Sequence, residues 1–108
     1  MLKTIMVESS VQKLLSDRKF VDYCKQETHT ILSHGYMTNQ DFISILNIIM
    51  YIFRNNGYHN IQKEIFADVF EAFVIELLQK YGYNMTDDKY SKIRQVVQTY
   101  PKKNIFHK

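Results

Sequence analysis

The chain has 108 residues, of which 45% are hydrophobic and 23% charged, and its formal net charge at neutral pH is +3. This balance is that of an ordinary globular domain, and it excludes a chain that is disordered along its whole length. We expect one domain at residues 1–101, followed by a basic C-terminal tail at residues 102–108.

Cysteine usage and hydropathy indicate the compartment. Cys24 is the only cysteine, so the chain cannot form an internal disulfide. The first residues lack the apolar stretch and cleavage site of a signal peptide. The longest predominantly apolar run without a charge, Phe42–Phe53, has 12 residues, whereas a membrane span needs about 20. We therefore expect an intracellular protein, cytoplasmic, nuclear or part of a virion, with no membrane association.

Residue usage also indicates the type of source genome. The residue types favoured by AT-rich codons (phenylalanine, tyrosine, methionine, isoleucine, asparagine and lysine) total 50, whereas glycine, alanine, arginine and proline total 9. This usage indicates an AT-rich genome, such as that of a low-GC bacterium, a phage or a large DNA virus. It describes codon supply and not function.

Glycines and a proline divide the chain into periodic segments. Gly35, Gly57 and Gly82 each follow a segment with helical periodicity, and Pro101 closes the last segment. The pattern predicts an all-α fold. We expect a compact bundle of four to five helices, joined by short turns, around a central apolar helix at about residues 40–54.

Two helices are expected before Gly35. Ser9 or Ser10 caps a short first helix, and Asp17 starts or continues a second one that ends at Gly35. The residues that share one face of the second helix are Phe20, Val21, Cys24, Thr28, Ile31 and Leu32. Residues 5–7 remain open between a short strand, a helical lead-in and an arm that reaches a neighbour.

A capping box predicts the start of the central helix. The Thr38 oxygen accepts a hydrogen bond from a helix-end N–H, and Asp41 reaches back to the chain before the helix. Only Ser44 and Asn47 are polar within Phe42–Phe53, so a helix here must be covered on most sides. The β-branched and aromatic residues make a buried strand the rival interpretation, but the length and the capping box favour a helix.

Two more helices are expected in the C-terminal half. Asn60 caps a helix that runs to Lys80 or Tyr81, and Thr86 or Asp87 caps the last one. The first of these helices has a broad apolar stripe that consists of Ile61, Ile65, Phe66, Val69, Phe70, Phe73, Val74, Leu77 and Leu78. The last helix directs Tyr90, Ile93, Val96 and Val97 inward.

The sequence contains no enzyme signature. It has no glycine-rich phosphate loop and no HExxH, CxxC or GxSxG motif. We therefore expect a non-enzymatic protein without a cofactor, a metal or a small-molecule substrate. Cys24, His29 and His34 lie five residues apart, and a rotation of about 140° between them prevents them from converging on one ion. Cys24 is expected to be a small core residue.

Acidic residues form a ridge beside the apolar stripe of the long fourth helix. Glu64, Asp68 and Glu71 follow the spacing i, i+4 and i+7, and such a ridge can bind a cation or a basic partner. Carboxylate sites in helical bundles add histidines at fixed spacing, and no ExxH motif is present. We therefore expect a solvated helix face.

Charge is unevenly distributed along the chain. The net charge is zero over residues 1–41, −1 over residues 42–85 and +4 over residues 86–108. The basic residues near the C-terminus are interleaved with tyrosines, a combination that can contact phosphates or stack on bases. The candidate contacts are Lys89, Lys92, Arg94, Lys102, Lys103 and Lys108. The alternative is that these side chains only solvate the outer face of the last helix.

The aromatic content suggests contact with another protein. The chain has eight tyrosines, seven phenylalanines and five methionines, and tyrosine and methionine are enriched at protein interfaces. The candidate interface aromatics are Tyr36, Tyr51, Tyr58, Tyr81 and Tyr83. We expect an interaction or assembly protein that self-associates or is a small subunit of a larger complex, with a virus- or phage-encoded protein as a special case. The alternative is a nucleic-acid-associated helical protein that uses the basic C-terminal segment.

Overall fold

The protein is described by a computed structural model that covers the backbone of residues 2–56 and 61–102 and the side chains of residues 3–56 and 61–98. Within these ranges the chain is all-helical, as predicted. The five helices are α1 (Leu2–Ser16), α2 (Arg18–Leu32), α3 (Asn39–Asn55), α4 (Lys63–Lys80) and α5 (Asp87–Lys102). The central helix expected at about residues 40–54 is α3, so the strand interpretation of that segment is wrong.

Local capping signals set the starts of α2 and α3. The Asp17 side chain accepts a 3.1 Å hydrogen bond from the Phe20 N–H at the start of α2. At the start of α3, the Asp41 N–H donates to Thr38 Oγ1 at 3.0 Å, and the Thr38 N–H donates to Asp41 Oδ2 at 3.3 Å. Both predictions are confirmed, because a cap depends only on residues within one helical turn.

The starts of two helices differ from the expectation. α1 begins at Leu2 and passes through Ser9 and Ser10, because Met6 and Val7 pack against the core and extend the helix towards the N-terminus. The segment at residues 5–7 is therefore helical. α4 begins at Lys63, with Gln62 before it and no side-chain cap.

Some expectations fall near or beyond the limits of the described ranges. Gly57, Tyr58, the proposed cap Asn60 and residues 103–108 lie outside them. The last helix, α5, ends at Lys102 and includes Pro101 in its final turn. The first residue assigned to the basic tail is therefore helical.

The helices pack in a closed ring with two helices in contact across it. Each helix contacts its two neighbours in the cyclic order α1, α2, α3, α5 and α4, and α3 also contacts α4. α3 buries seven side chains and α4 buries eight. The centre of the domain is therefore shared by these two helices, and α4 is as much a core helix as α3.

An aromatic cluster joins α2, α3 and α4 at the centre. The Phe53 ring centroid lies 5.3 Å from those of Phe20 and Phe70, 5.4 Å from that of Phe73 and 6.1 Å from that of Phe66. All four contacts are edge-on, an arrangement that aromatic rings prefer to face-to-face stacking. Phe53 thus fixes how the three helices meet.

Candidate interaction surface

The outward side of α3 presents a row of uncharged residues. We call Gln40, Ser44, Asn47 and Tyr51 the α3 stripe; their spacing of i, i+4, i+7 and i+11 places them on one side of a helix. Ser44 is half-buried and the other three are exposed, with Tyr51 at 56% of its full exposure. The opposite side of α3 supplies the buried residues Phe42, Ile45, Leu46, Ile49, Met50, Ile52 and Phe53.

Half-buried isoleucines flank the α3 stripe. Ile43 lies along one edge and Ile48 along the other, and both keep part of their surface exposed. Asp41 and Arg54 bound the segment, and no charged residue lies between them. Depletion of charge together with exposed aromatic and aliphatic surface is the composition of the central part of a protein–protein interface.

The packing of the bundle explains why this side of α3 is exposed. α2, α4 and α5 all contact α3, whose seven buried side chains lie on one side of the helix. The side of α3 that faces away from these helices meets no other helix among the described residues. Neighbouring helices therefore cover the apolar run Phe42–Phe53 on most sides, but one side of it stays exposed.

The predicted interface tyrosines divide into two groups. Tyr36 and Tyr51 are exposed, and Tyr36 keeps 65% of its full exposure. Tyr81 and Tyr83 are half-buried and pack against the core. Burial raises the pKa of the Tyr81 hydroxyl above its ordinary value, and the Tyr83 hydroxyl donates a hydrogen bond to the backbone of α2. Tyr58 lies outside the described residues.

Among the residues whose side chains the structure describes, two other exposed apolar side chains were not among the candidates. Ile5 on α1 and Tyr23 on α2 both reach the solvent. Tyr23 lines an open depression of about 420 Å³ at the junction of α2 with the end of α3, together with Asp17, Lys19, Phe20 and Asn56. A second depression of about 460 Å³ lies at the turn between α1 and α2, lined by Leu15, Ser16, Arg18, Val21, Asp22 and Lys25.

The candidate cations on α5 interact with groups of the same chain. Lys92 pairs with Asp88 one turn earlier, at 3.6 Å between Nζ and Oδ2. The Lys89 ammonium lies 5.9 Å from the centre of the Phe42 ring, in the geometry of a cation–π contact. The side chain of Lys102 lies outside the described part of the chain, as do Lys103 and Lys108.

The third described cation, Arg94, belongs to an ion-pair network across three helices. Its guanidinium donates to Glu71 Oε1 at 2.7 Å and lies 3.6 Å from Asp68 Oδ1. Lys3 of α1 approaches the other oxygen of Asp68 at 3.2 Å. Two members of the acidic ridge predicted on α4 therefore bind cations of α1 and α5, and the ridge is not merely solvated.

Cys24 is a core residue, as its position on the apolar face of α2 predicted. Its side chain is fully buried, and burial raises the pKa of the thiol from 9.0 to about 12. The Thr28 hydroxyl, also buried, donates a 2.7 Å hydrogen bond to the Cys24 carbonyl oxygen. No group of three or more histidine, cysteine, aspartate or glutamate side chains within the described ranges is arranged to hold a metal ion.

Comparison with known proteins gives no family to which the chain can be assigned. Protein families, curated proteins and solved structures were searched, and none of them matches. Across residues 2–56 and 61–102, no helix has the length and apolarity required to cross a membrane.

Sequence reasoning missed three of the four residues of the α3 stripe. Gln40, Ser44 and Asn47 were not among the predicted interface residues, although Ser44 and Asn47 are the only polar residues within Phe42–Phe53. Their helical spacing with Tyr51 was the available signal. Two polar residues in an otherwise apolar helix mark the side that the core does not cover.

Proposed function

We propose that the protein is a non-enzymatic interaction or assembly protein that binds another protein chain through the α3 stripe. The observation that carries the proposal is the exposure of Tyr51 on a helix face whose four residues carry no charge. Because residue usage indicates an AT-rich genome, the proposal includes a virus- or phage-encoded assembly protein as a special case.

The free energy of burying this face supports the proposal. Removing a charged side chain from water is costly unless a partner compensates for it, and the α3 stripe has no charged side chain to bury. Tyr51 adds a large, rigid apolar ring whose hydroxyl can remain hydrogen-bonded at the edge of a contact. Ile43 and Ile48 add apolar surface on both sides.

The described charges make nucleic acid the weaker candidate. Phosphate binding requires cations that can exchange small counterions for phosphates. Arg94 is held between two carboxylates, and Lys92 is paired with Asp88. An outer surface on which opposite charges pair with one another provides little net attraction for an anionic polymer.

Site-specific photo-cross-linking in cells that naturally make the protein tests the proposal. The photoreactive residue p-benzoylphenylalanine replaces Tyr51 in one variant and Gln79, which is exposed on α4, in a control variant. We expect a covalent adduct with another protein chain at position 51 in several-fold excess over position 79. Equal yields at the two positions, or no adduct at position 51, would contradict the proposal.

A titration with duplex DNA at low salt tests the alternative. We expect no change in the tumbling rate of the purified protein, measured by fluorescence anisotropy. Salt-dependent binding that weakens when residues 102–108 are removed would favour the nucleic-acid function instead.

A further inference from the structure

We infer that the partner bound by the α3 stripe is a second copy of this chain, with its α3 antiparallel to the first across a twofold axis near Asn47 and Ile48. This inference rests on the proposed use of the stripe as an interaction surface. It specifies which chain binds there and in which direction the second helix runs.

The order of large and small residues along the stripe supports the antiparallel arrangement. Ser44 and Tyr51 lie at equal distances of about 5 Å along the helix from a point midway between Asn47 and Ile48. In a twofold pair centred on that point, Tyr51 of each copy faces Ser44 of the other, because contacts across a twofold axis are reciprocal. Each tyrosine ring then fills the space that a small serine side chain leaves.

A parallel arrangement fits the same residues less well. It would place Tyr51 against Tyr51 and Ser44 against Ser44, so that the rings would separate the helices while a gap remained at the serines. Poorly filled gaps forfeit packing energy. An antiparallel pair also places the positive N-terminal end of one helix dipole near the negative C-terminal end of the other.

The polar groups of the stripe are compatible with a copy of themselves. An asparagine amide both donates and accepts hydrogen bonds, so two Asn47 side chains near the axis can pair with each other. Gln40 similarly lies opposite Asn55 of the second copy. A face with a net charge would repel its own copy, but the stripe is uncharged and the whole chain has a formal charge of only +3.

The size of the surface predicts a weak dimer. α3 has 17 residues, and a helix of that length is about 25 Å long. One pair of such helices covers less than the roughly 800 Å² per partner that is usual in stable complexes. We therefore expect dissociation in the micromolar range or weaker, with dimers that accumulate as the protein concentration rises.

Disulfide cross-linking in the full chain tests the arrangement. Single variants Ser44→Cys, Asn47→Cys and Tyr51→Cys are oxidised with copper phenanthroline, and Gln79→Cys is the exposed control. The native Cys24 is buried and should add no background. We expect Asn47→Cys to cross-link with itself, and an equimolar mixture of Ser44→Cys and Tyr51→Cys to give several-fold more dimer than either variant alone.

Other cross-linking patterns would overturn the inference. Preferential self-cross-linking of Ser44→Cys and of Tyr51→Cys would show a parallel pair. Yields no higher than that of Gln79→Cys at all three stripe positions would exclude a second copy as the partner. Thermal unfolding by circular dichroism is measured for each variant, so that loss of cross-linking is not confused with loss of the fold.

Sedimentation equilibrium provides a second measurement that does not depend on introduced cysteines. We expect the wild-type protein to approach twice its monomer mass with increasing concentration, and Tyr51→Lys to weaken this association at least tenfold without lowering the unfolding temperature. A wild-type protein that stays monomeric would reject the second copy. In that case, a photo-cross-linked adduct at position 51 in cells with a mass different from that of a dimer of this chain would indicate another protein partner, and the proposed function would stand. If no adduct formed at position 51 either, both proposals would fail.

Discussion

The hydroxyl of Tyr83 donates a 2.7 Å hydrogen bond to the backbone carbonyl oxygen of Leu32, which lies 51 positions earlier in the chain. Leu32 is the last residue of α2. The last carbonyl oxygens of a helix receive no hydrogen bond from N–H groups of the same helix. Tyr83 lies in the turn between α4 and α5. The bond therefore ties this turn to the end of α2.

Replacement of Tyr83 by phenylalanine should destabilise the fold. Tyr83→Phe leaves a partly buried carbonyl without its donor, and we expect a loss of about 1 kcal/mol in the free energy of unfolding. For a domain of this size the unfolding temperature should fall by about 4 °C. The control is Tyr36→Phe, at an exposed tyrosine. Thermal unfolding curves that coincide for the two variants would show that the bond contributes nothing.

Removal of the Phe53 ring should be the most damaging change in the core. This ring contacts four others and is fully buried, so Phe53→Ala should lower the free energy of unfolding by about 3–5 kcal/mol through lost burial and a cavity. Tyr51→Ala, two residues earlier on the exposed side of α3, should change it by less than about 0.5 kcal/mol. Urea titrations at low micromolar protein concentration measure both values. Similar losses in the two variants would contradict the assignment of the inner and outer sides of α3.

The ion pair between Arg94 and Glu71 should contribute little and should depend on salt. Arg94 keeps 55% of its side chain exposed, so solvent screens the interaction, and double-mutant cycles for such pairs give about 0.2–1 kcal/mol. Arg94→Gln, Glu71→Gln and the double variant form the cycle. We expect a coupling in that range which shrinks when NaCl is raised to about 1 M, where the screening length falls to about 3 Å. A coupling that is insensitive to salt would be inconsistent with a solvent-exposed pair.

Burial of Cys24 should make the fold less stable in alkaline solution. Its pKa rises from 9.0 to about 12 in the folded protein, so the folded state retains the proton over a pH range in which the unfolded state loses it. The stabilisation is complete below pH 9 and is lost as the pH rises towards 12, with a limiting slope of about 1.4 kcal/mol per pH unit. The free energy of unfolding is measured against pH for the wild type and for Cys24→Ala. If the difference in unfolding free energy between the two proteins did not change above pH 9, the raised pKa of Cys24 would be wrong.

Local sequence signals were sufficient for much of the helical framework. The Asp17 cap and the capping box at Thr38 and Asp41 each involve residues within a single turn, and the structure places them where the sequence predicted. Gly35 and Gly82 lie in the turns that follow α2 and α4, each with φ of 88°, a conformation in which a β-carbon would be strained. Such features do not depend on the rest of the fold.

Helix starts without a decisive local signal were less predictable. Ser9 and Ser10 are good capping residues, but they lie inside α1 because the apolar side chains of Met6 and Val7 reach the core. Serine is tolerated within a helix at a small cost in free energy. Tertiary burial outweighs that cost, and only the assembled bundle shows that the burial occurs.

The sequence by itself determined that the chain forms helices, where several of them begin and end, and which residues of each helix lie on the same side. Only the tertiary structure decided which side of α3 remains uncovered, that Tyr83 reaches Leu32, and that Arg94 meets Glu71. The physical reason is that the helical period fixes the angles between residues within one helix. The positions of neighbouring helices depend on contacts between residues that are far apart in the chain.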